Sequence, residues 1–131
     1  MNIASSTSIY RGLALACMLL IFVLSSQPAL PLQNLFSAQD KFEHFLAYAA
    51  LAYCYARSFV QQGVYTWQKI TLITLLTIMY GCSDEFHQSF VPGRDSSLLD
   101  VLADGIGGLC MSSILYWYDH LKTKRRELWI I

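Results

Sequence analysis

Leu98-Leu-Asp-Val-Leu-Ala-Asp-Gly-Ile-Gly-Gly-Leu-Cys-Met-Ser-Ser-Ile-Leu-Tyr-Trp-Tyr118, followed by Asp119-His-Leu-Lys-Thr-Lys-Arg-Arg126, decides the fold. Its apolar part matches the roughly 20 residues that a helix needs to cross a bilayer core. Its acids, Asp100 and Asp104, stand near its start, and its bases follow its end. Three other apolar stretches, 9–26, 42–59 and 70–88, have similar length. If all four cross, the N-terminus, the 60–69 loop and the C-terminal tail share one side. That side carries Arg11, Arg57, Lys69, Lys122, Lys124, Arg125 and Arg126 but only Asp119 and Glu127 among the acids. The other side and its helix ends carry Asp40, Glu43, Asp84, Glu85, Asp95, Asp100 and Asp104, with Lys41 and Arg94 as their basic partners. Cationic loops stay in the cytoplasm, so both termini are expected there, with the acidic end outward.

The expectation is an all-α membrane protein, a compact bundle of four transmembrane helices that uses residues 1–131 as one domain. Charged residues make up 14% of the chain and hydrophobic residues 55%, against about 25% charged in an ordinary soluble domain. The bilayer is the expected partner and a membrane the expected location. Nucleic-acid binding has no support, because the basic run Lys122-Thr-Lys-Arg-Arg126 directly follows a spanning segment and reads as a topological anchor. Cys17, Cys54, Cys82 and Cys110 fall one to a segment, without zinc or redox spacing, and read as small apolar filler. The first segment lacks a small-x-small cleavage site and is expected to be a retained helix. Pro28 ends it near Gln27, and Pro31 keeps the chain extended after it.

The acidic end carries the chemistry. Asp40, His44 and Tyr48 recur at four-residue steps and share a helix face. Asp40 reads either as an N-cap or as the group that orients His44. In the third segment Asp84, His87 and Gln88 share one side, with Glu85 beside them. Two carboxylates at a helix C-terminus oppose its dipole. Arg94, Lys41, a metal ion or a proton must offset them, unless a hydrogen-bonded clamp between helices does so. Pro92-Gly93 predicts a tight turn that presents Arg94 beside the acids. Ser96 or Ser97 is expected to cap the last helix. Asp104 lies one turn deeper than Asp100, and the small residues Ala103, Gly107, Gly108 and Ser112 predict close approach by another helix.

These pieces together resemble the VanZ-like family of bacterial membrane proteins. The resemblance rests on Asp40-Lys41 with His44-Phe45 and Tyr48, on Asp84-Glu85 with Gln88, and on Val91-Pro92-Gly93-Arg94. Asp100-Val101-Leu102-Ala103 followed by Gly107, and the exit Leu24-Ser25-Ser26-Gln27-Pro28, complete it over about residues 20–115. One departure is Asp104, where the family usually carries asparagine. The family takes its name from a protein linked to low-level resistance to the glycopeptide teicoplanin. The resemblance implies a small multi-helix membrane protein of the cell envelope, not a particular reaction.

Two classes of function follow. In the first, His44, Asp84, Glu85 and His87 are catalytic candidates, with a histidine as general acid or base. Asp84, Glu85 and Asp100 hold a divalent cation through oxygen ligands. Lys41, Arg94, Gln88, Asp40 and Tyr48 bind a phosphate-bearing envelope lipid or a glycopeptide-related ligand, and hydrolysis or transfer at phosphate is the expected chemistry. In the second, the same cluster binds without turnover or only clamps the helices together. The two part on whether the polar groups satisfy one another or leave atoms free in an open pocket.

Overall fold

The computed structural model describes residues 3–28, 38–59 and 65–128, which form four helices and no strand. They are α1 (Ile3–Ser25), α2 (Gln39–Phe59), α3 (Trp67–Gln88) and α4 (Leu98–Leu128). The apolar stretches set the centres of these helices, while local chemistry moves their ends. Between Leu109 and Leu128 there is neither glycine nor proline, and lysine, arginine and glutamate favour helix. The basic segment expected as a tail therefore continues α4 through Leu128. At the end of α1, the Ser26 hydroxyl donates to the Phe22 carbonyl at 2.6 Å and the Gln27 amide to that of Leu24 at 3.2 Å, just ahead of Pro28. The reading of Pro31 lies outside the described residues.

Between α3 and α4 the chain turns at Val91-Pro92-Gly93-Arg94. Gly93 has φ 80°, and the Arg94 amide donates to the Val91 carbonyl at 3.2 Å. Proline second and a left-handed glycine third make this a type II turn, as the sequence predicts. Ser97 caps α4, its Oγ accepting the Leu99 amide at 3.2 Å.

The most extensive interface joins α2 to α4, followed by that of α3 with α4. Both α2 and α4 run from the acidic end towards the basic end, side by side and parallel. A Cβ added at Gly107 would strike the Phe45 carbonyl oxygen, and one at Gly108 would strike Thr77 Oγ1. Small residues thus let α4 lie directly on the backbone of α2 and the side chains of α3. The hydroxyls in this seam bond back to their own helices, Ser112 to the Gly108 carbonyl at 2.8 Å and Thr77 to that of Thr74 at 2.8 Å. Towards the basic end the core is apolar, with Ala52, Ala56, Tyr65, Ile73 and Leu115 packed together. Helix α1 lies on the outside and is fastened where Tyr80 donates to the Met18 carbonyl at 2.6 Å.

Burial is inverted relative to a water-soluble bundle. Asp84, Glu85, Gln88, Asp100 and Asp104 are buried, while Leu15, Leu19, Met79, Phe86, Phe90 and Leu102 are exposed. Two helices, over 6–25 in α1 and 98–125 in α4, are long and apolar enough to cross a membrane. By the same measure α2 and α3 do not qualify, because their polar positions lower the mean hydropathy.

Candidate functional site

The parallel arrangement of α2 and α4 brings their charged first turns into register. The Lys41 ammonium donates to Asp100 Oδ1 at 2.9 Å, and one turn deeper His44 Nδ1 meets Asp104 Oδ1 at 3.0 Å. Lys41, ahead of the apolar part of α2, is held above the usual lysine range by its bond to the Asp100 carboxylate. Helix α3 arrives from the opposite direction and adds its last turn. Gln88 Nε2 donates to Asp84 Oδ2 at 3.0 Å, with a weaker approach to Glu85 Oε1 at 3.4 Å. The backbone N–H of Ser97 donates to Glu85 Oε2 at 2.7 Å, which ties the cap of α4 to the end of α3. His44 Nε2 stands 3.7 Å from Glu85 Oε1.

Beside this network lies a cavity of about 120 Å³. Its polar lining is Ser25, Asp40, Glu43, His44, Tyr48, Asp84, Gln88 and Arg94, and Ile21, Leu24 and Ala47 line it as well. Two buried polar atoms on it have no partner, Asp84 Oδ1 and Tyr48 Oη. The Tyr48 ring lies parallel to that of His44, with centroids 6.1 Å apart. An unpaired buried oxygen costs about 1–3 kcal/mol, so these two are placed to bond a polar group that enters the cavity.

The structure gathers His44, Tyr48, Asp84, Glu85 and Gln88 as the spacing predicts, but it redirects several other candidates. His87 leaves the cluster: its Nε2 lies 2.9 Å from Ser26 Oγ and its ring packs on Phe22 at 4.5 Å, so it joins α3 to α1. Asp100 is spent on Lys41 and does not complete an Asp84, Glu85, Asp100 metal set; the donor atoms that converge are those of His44, Asp84 and Glu85, all within 4.8 Å of one another. Lys41 is drawn away from a phosphate-binding role by the same bond, and it is absent from the cavity lining. Arg94 does line the cavity, yet it bonds none of the acids. Its Nε and Nη2 donate to the Gln27 and Leu24 carbonyls at 3.1 and 3.0 Å, which satisfies the open C-terminus of α1.

Asp40 neither caps α2 nor orients His44. It sits inside the first turn, exposed, with its carboxylate 3.9 Å from Lys41. The group that orients His44 is Asp104, fully buried and seated against Gly81, where a Cβ would strike Asp104 Oδ2. Sequence reasoning missed this pairing. The available signal was the matched stepping of two parallel helices, Lys41 then His44 on α2 and Asp100 then Asp104 on α4.

A family model described as VanZ/LLP1 matches residues 10–119. No curated protein and no solved structure matches the chain.

Proposed function

The chain belongs to the VanZ/LLP1 family, and from that footing we propose that it is a multi-pass protein of the bacterial cytoplasmic membrane whose cavity receives the head group of an envelope lipid. Both termini lie in the cytoplasm and the acidic end faces outward, as the segregation of bases and acids along the chain supports. The inverted burial supports four crossings: α2 and α3 hide their polar positions against α4, where a bilayer does not meet them.

One observation carries the reading. Asp84 Oδ1 and Tyr48 Oη are buried and unpartnered beside a cavity that Ile21, Leu24 and Ala47 also line. A lining that mixes polar atoms with apolar side chains suits an amphiphile. The lining also selects a head group. Asp40, Glu43 and Asp84 favour an amine or hydroxyls, while Arg94 offers the remainder of its guanidinium to a phosphate oxygen. A phosphate-bearing lipid with an amine or hydroxyl-rich head meets both demands.

The clamp reading is favoured by the bonds from Lys41 to Asp100 and from Ser97 to Glu85, which knit three helices without any ligand. Native mass spectrometry of the full chain in mild detergent, beside Asp84→Asn, separates the two. A co-purifying phospholipid or polyprenyl phosphate that the variant loses supports the lipid site. A bare protein in both samples leaves only the clamp. Orientation has its own test in a background with serine at Cys17, Cys54, Cys82 and Cys110. A cysteine replacing Ser96 should react with an impermeant thiol reagent applied to intact cells; reaction only after lysis would reverse the topology.

A further inference from the structure

We propose that His44, Asp84 and Glu85 form a binding site for a divalent transition metal, with zinc the best-suited ion. The inference deepens the reading above and rests on the same cavity. One donor atom from each of the three residues lies within 4.8 Å of those of the other two. His44 Nε2 and Glu85 Oε1 are 3.7 Å apart, whereas two ligands on a tetrahedral zinc with bonds of about 2.0–2.2 Å stand roughly 3.4 Å apart. Small rotations of the side chains would close the set.

Proximity of acids alone would carry nothing. The second observation is how the far atoms of the three ligands are held. A ligating histidine characteristically gives its other ring N–H to a carboxylate, which fixes the tautomer and turns the remaining lone pair to the metal. Asp104 Oδ1 stands 3.0 Å from His44 Nδ1 in that role. Gln88 occupies Asp84 Oδ2 and the Ser97 amide occupies Glu85 Oε2. What remains for a metal is His44 Nε2, Glu85 Oε1, which Gln88 Nε2 approaches only at 3.4 Å, and Asp84 Oδ1. The last is a buried, unpartnered oxygen on a residue 5% exposed that lines the cavity.

Charge points the same way. Asp84, Glu85, Asp100 and Asp104 are all buried. Lys41 answers Asp100, and a neutral His44 answers Asp104 without adding charge. Three carboxylates, Asp84, Glu85 and Asp104, then stand without a cation, a costly state that a divalent ion beside them relieves. One imidazole with two carboxylates suits zinc better than the all-oxygen shells of calcium and magnesium. Three protein ligands leave a fourth position for water or a phosphate oxygen of the head group.

The test titrates zinc into chelator-dialysed full-length protein in mild detergent, with a competing dye to report affinity. One zinc per chain is expected, bound at least tenfold more weakly in Asp84→Asn, Glu85→Gln and His44→Gln, with His120→Gln unchanged as the remote control. Asp104 is a positioning residue: Asp104→Leu should weaken zinc about 10–100-fold, and Asp104→Asn, which keeps an acceptor for Nδ1–H, should restore most of the loss. Cobalt in place of zinc should give weak visible bands without thiolate charge transfer. Each variant is compared only when its helicity and elution match those of the parent, and Asp84→Asn and Glu85→Gln keep the parent's shape. Absence of stoichiometric zinc, equal affinity in all three ligand variants, or a thiolate band would overturn the site. If zinc fails while a phospholipid still co-purifies, the metal inference falls and the lipid reading stands. If zinc binds and no lipid is retained, the metal site stands and the lipid reading falls.

Discussion

The two ends of the bundle are built on opposite principles from the same helices. At the basic end Ala52, Ala56, Tyr65, Ile73 and Leu115 make a mostly apolar core, although Tyr65 Oη and Arg57 Nε are buried there without hydrogen-bond partners. At the acidic end the interior holds Asp84, Glu85, Gln88, Asp100 and Asp104, and the large apolar side chains Phe86, Phe90, Leu99 and Leu102 point outward. An apolar core is stabilised by dispersion and close packing and tolerates any filler of similar shape. A buried polar network is stabilised only while each member is satisfied, so it specifies partners. On the function proposed above, the apolar end serves stability and the polar end serves recognition.

The largest effect should come from the apolar end. Ile73→Ala, which empties a fully buried position, should cost about 2–5 kcal/mol of stability. Ligand retention by the protein that still folds should be unaffected. Thermal unfolding in detergent with parallel mass spectrometry checks both, and loss of the ligand without loss of stability would erase the division between the ends.

At the polar end, Lys41→Met leaves Asp100 buried without its cation. Because Lys41 is 36% exposed, solvent and salt soften the loss to about 1–3 kcal/mol, and Asp100→Leu added to Lys41→Met should recover most of it. A double-mutant cycle measures the coupling. The pH dependence of this pair follows from the direction of the Lys41 shift. A lysine held above its usual value of about 10.4 stabilises the fold fully below that pH, and the contribution fades only as the pH rises through the raised value. Between pH 6 and 9 the difference in melting temperature between parent and Lys41→Met should therefore stay constant.

Asp84→Asn should change stability by less than about 1 kcal/mol, since a polar group of the same shape keeps a bond to Gln88. Its effect should appear in the bound ligand, which makes it the sharpest probe of the comparison. The smallest effects belong to the outer face: Cys82→Ser and Cys110→Ser, both exposed, should fall within about 0.5 kcal/mol of the parent.

Much of the architecture was legible from residue order. The apolar stretches located four helices, Pro92-Gly93 located the turn, Ser96 or Ser97 the cap, and Gly107, Gly108 and Ser112 the close seam. These are local or periodic properties, encoded by neighbours along the chain. The motif residues also carried the family, which the match over residues 10–119 bears out. Helix ends were less legible, because α4 runs on through basic residues that favour helix without being apolar.

The partners of the polar residues were not legible in the same way. Spacing placed His87 beside Asp84 and Asp40 beside His44, yet His87 bonds Ser26 just past α1 and His44 bonds Asp104 on α4. A period along one helix fixes which face a side chain shares, not which other helix covers that face. The sequence by itself determined four apolar helices, their charge asymmetry and the inventory of reactive groups. Only the tertiary structure decided that α2 and α4, already expected to run the same way, lie side by side and in register. That choice spends Lys41 on Asp100 and Arg94 on the end of α1, and it leaves His44, Asp84 and Glu85 facing one another. The physical reason is that the close seam at Gly107 sets the axial position of α4 on α2, which brings Lys41 to Asp100 and His44 to Asp104.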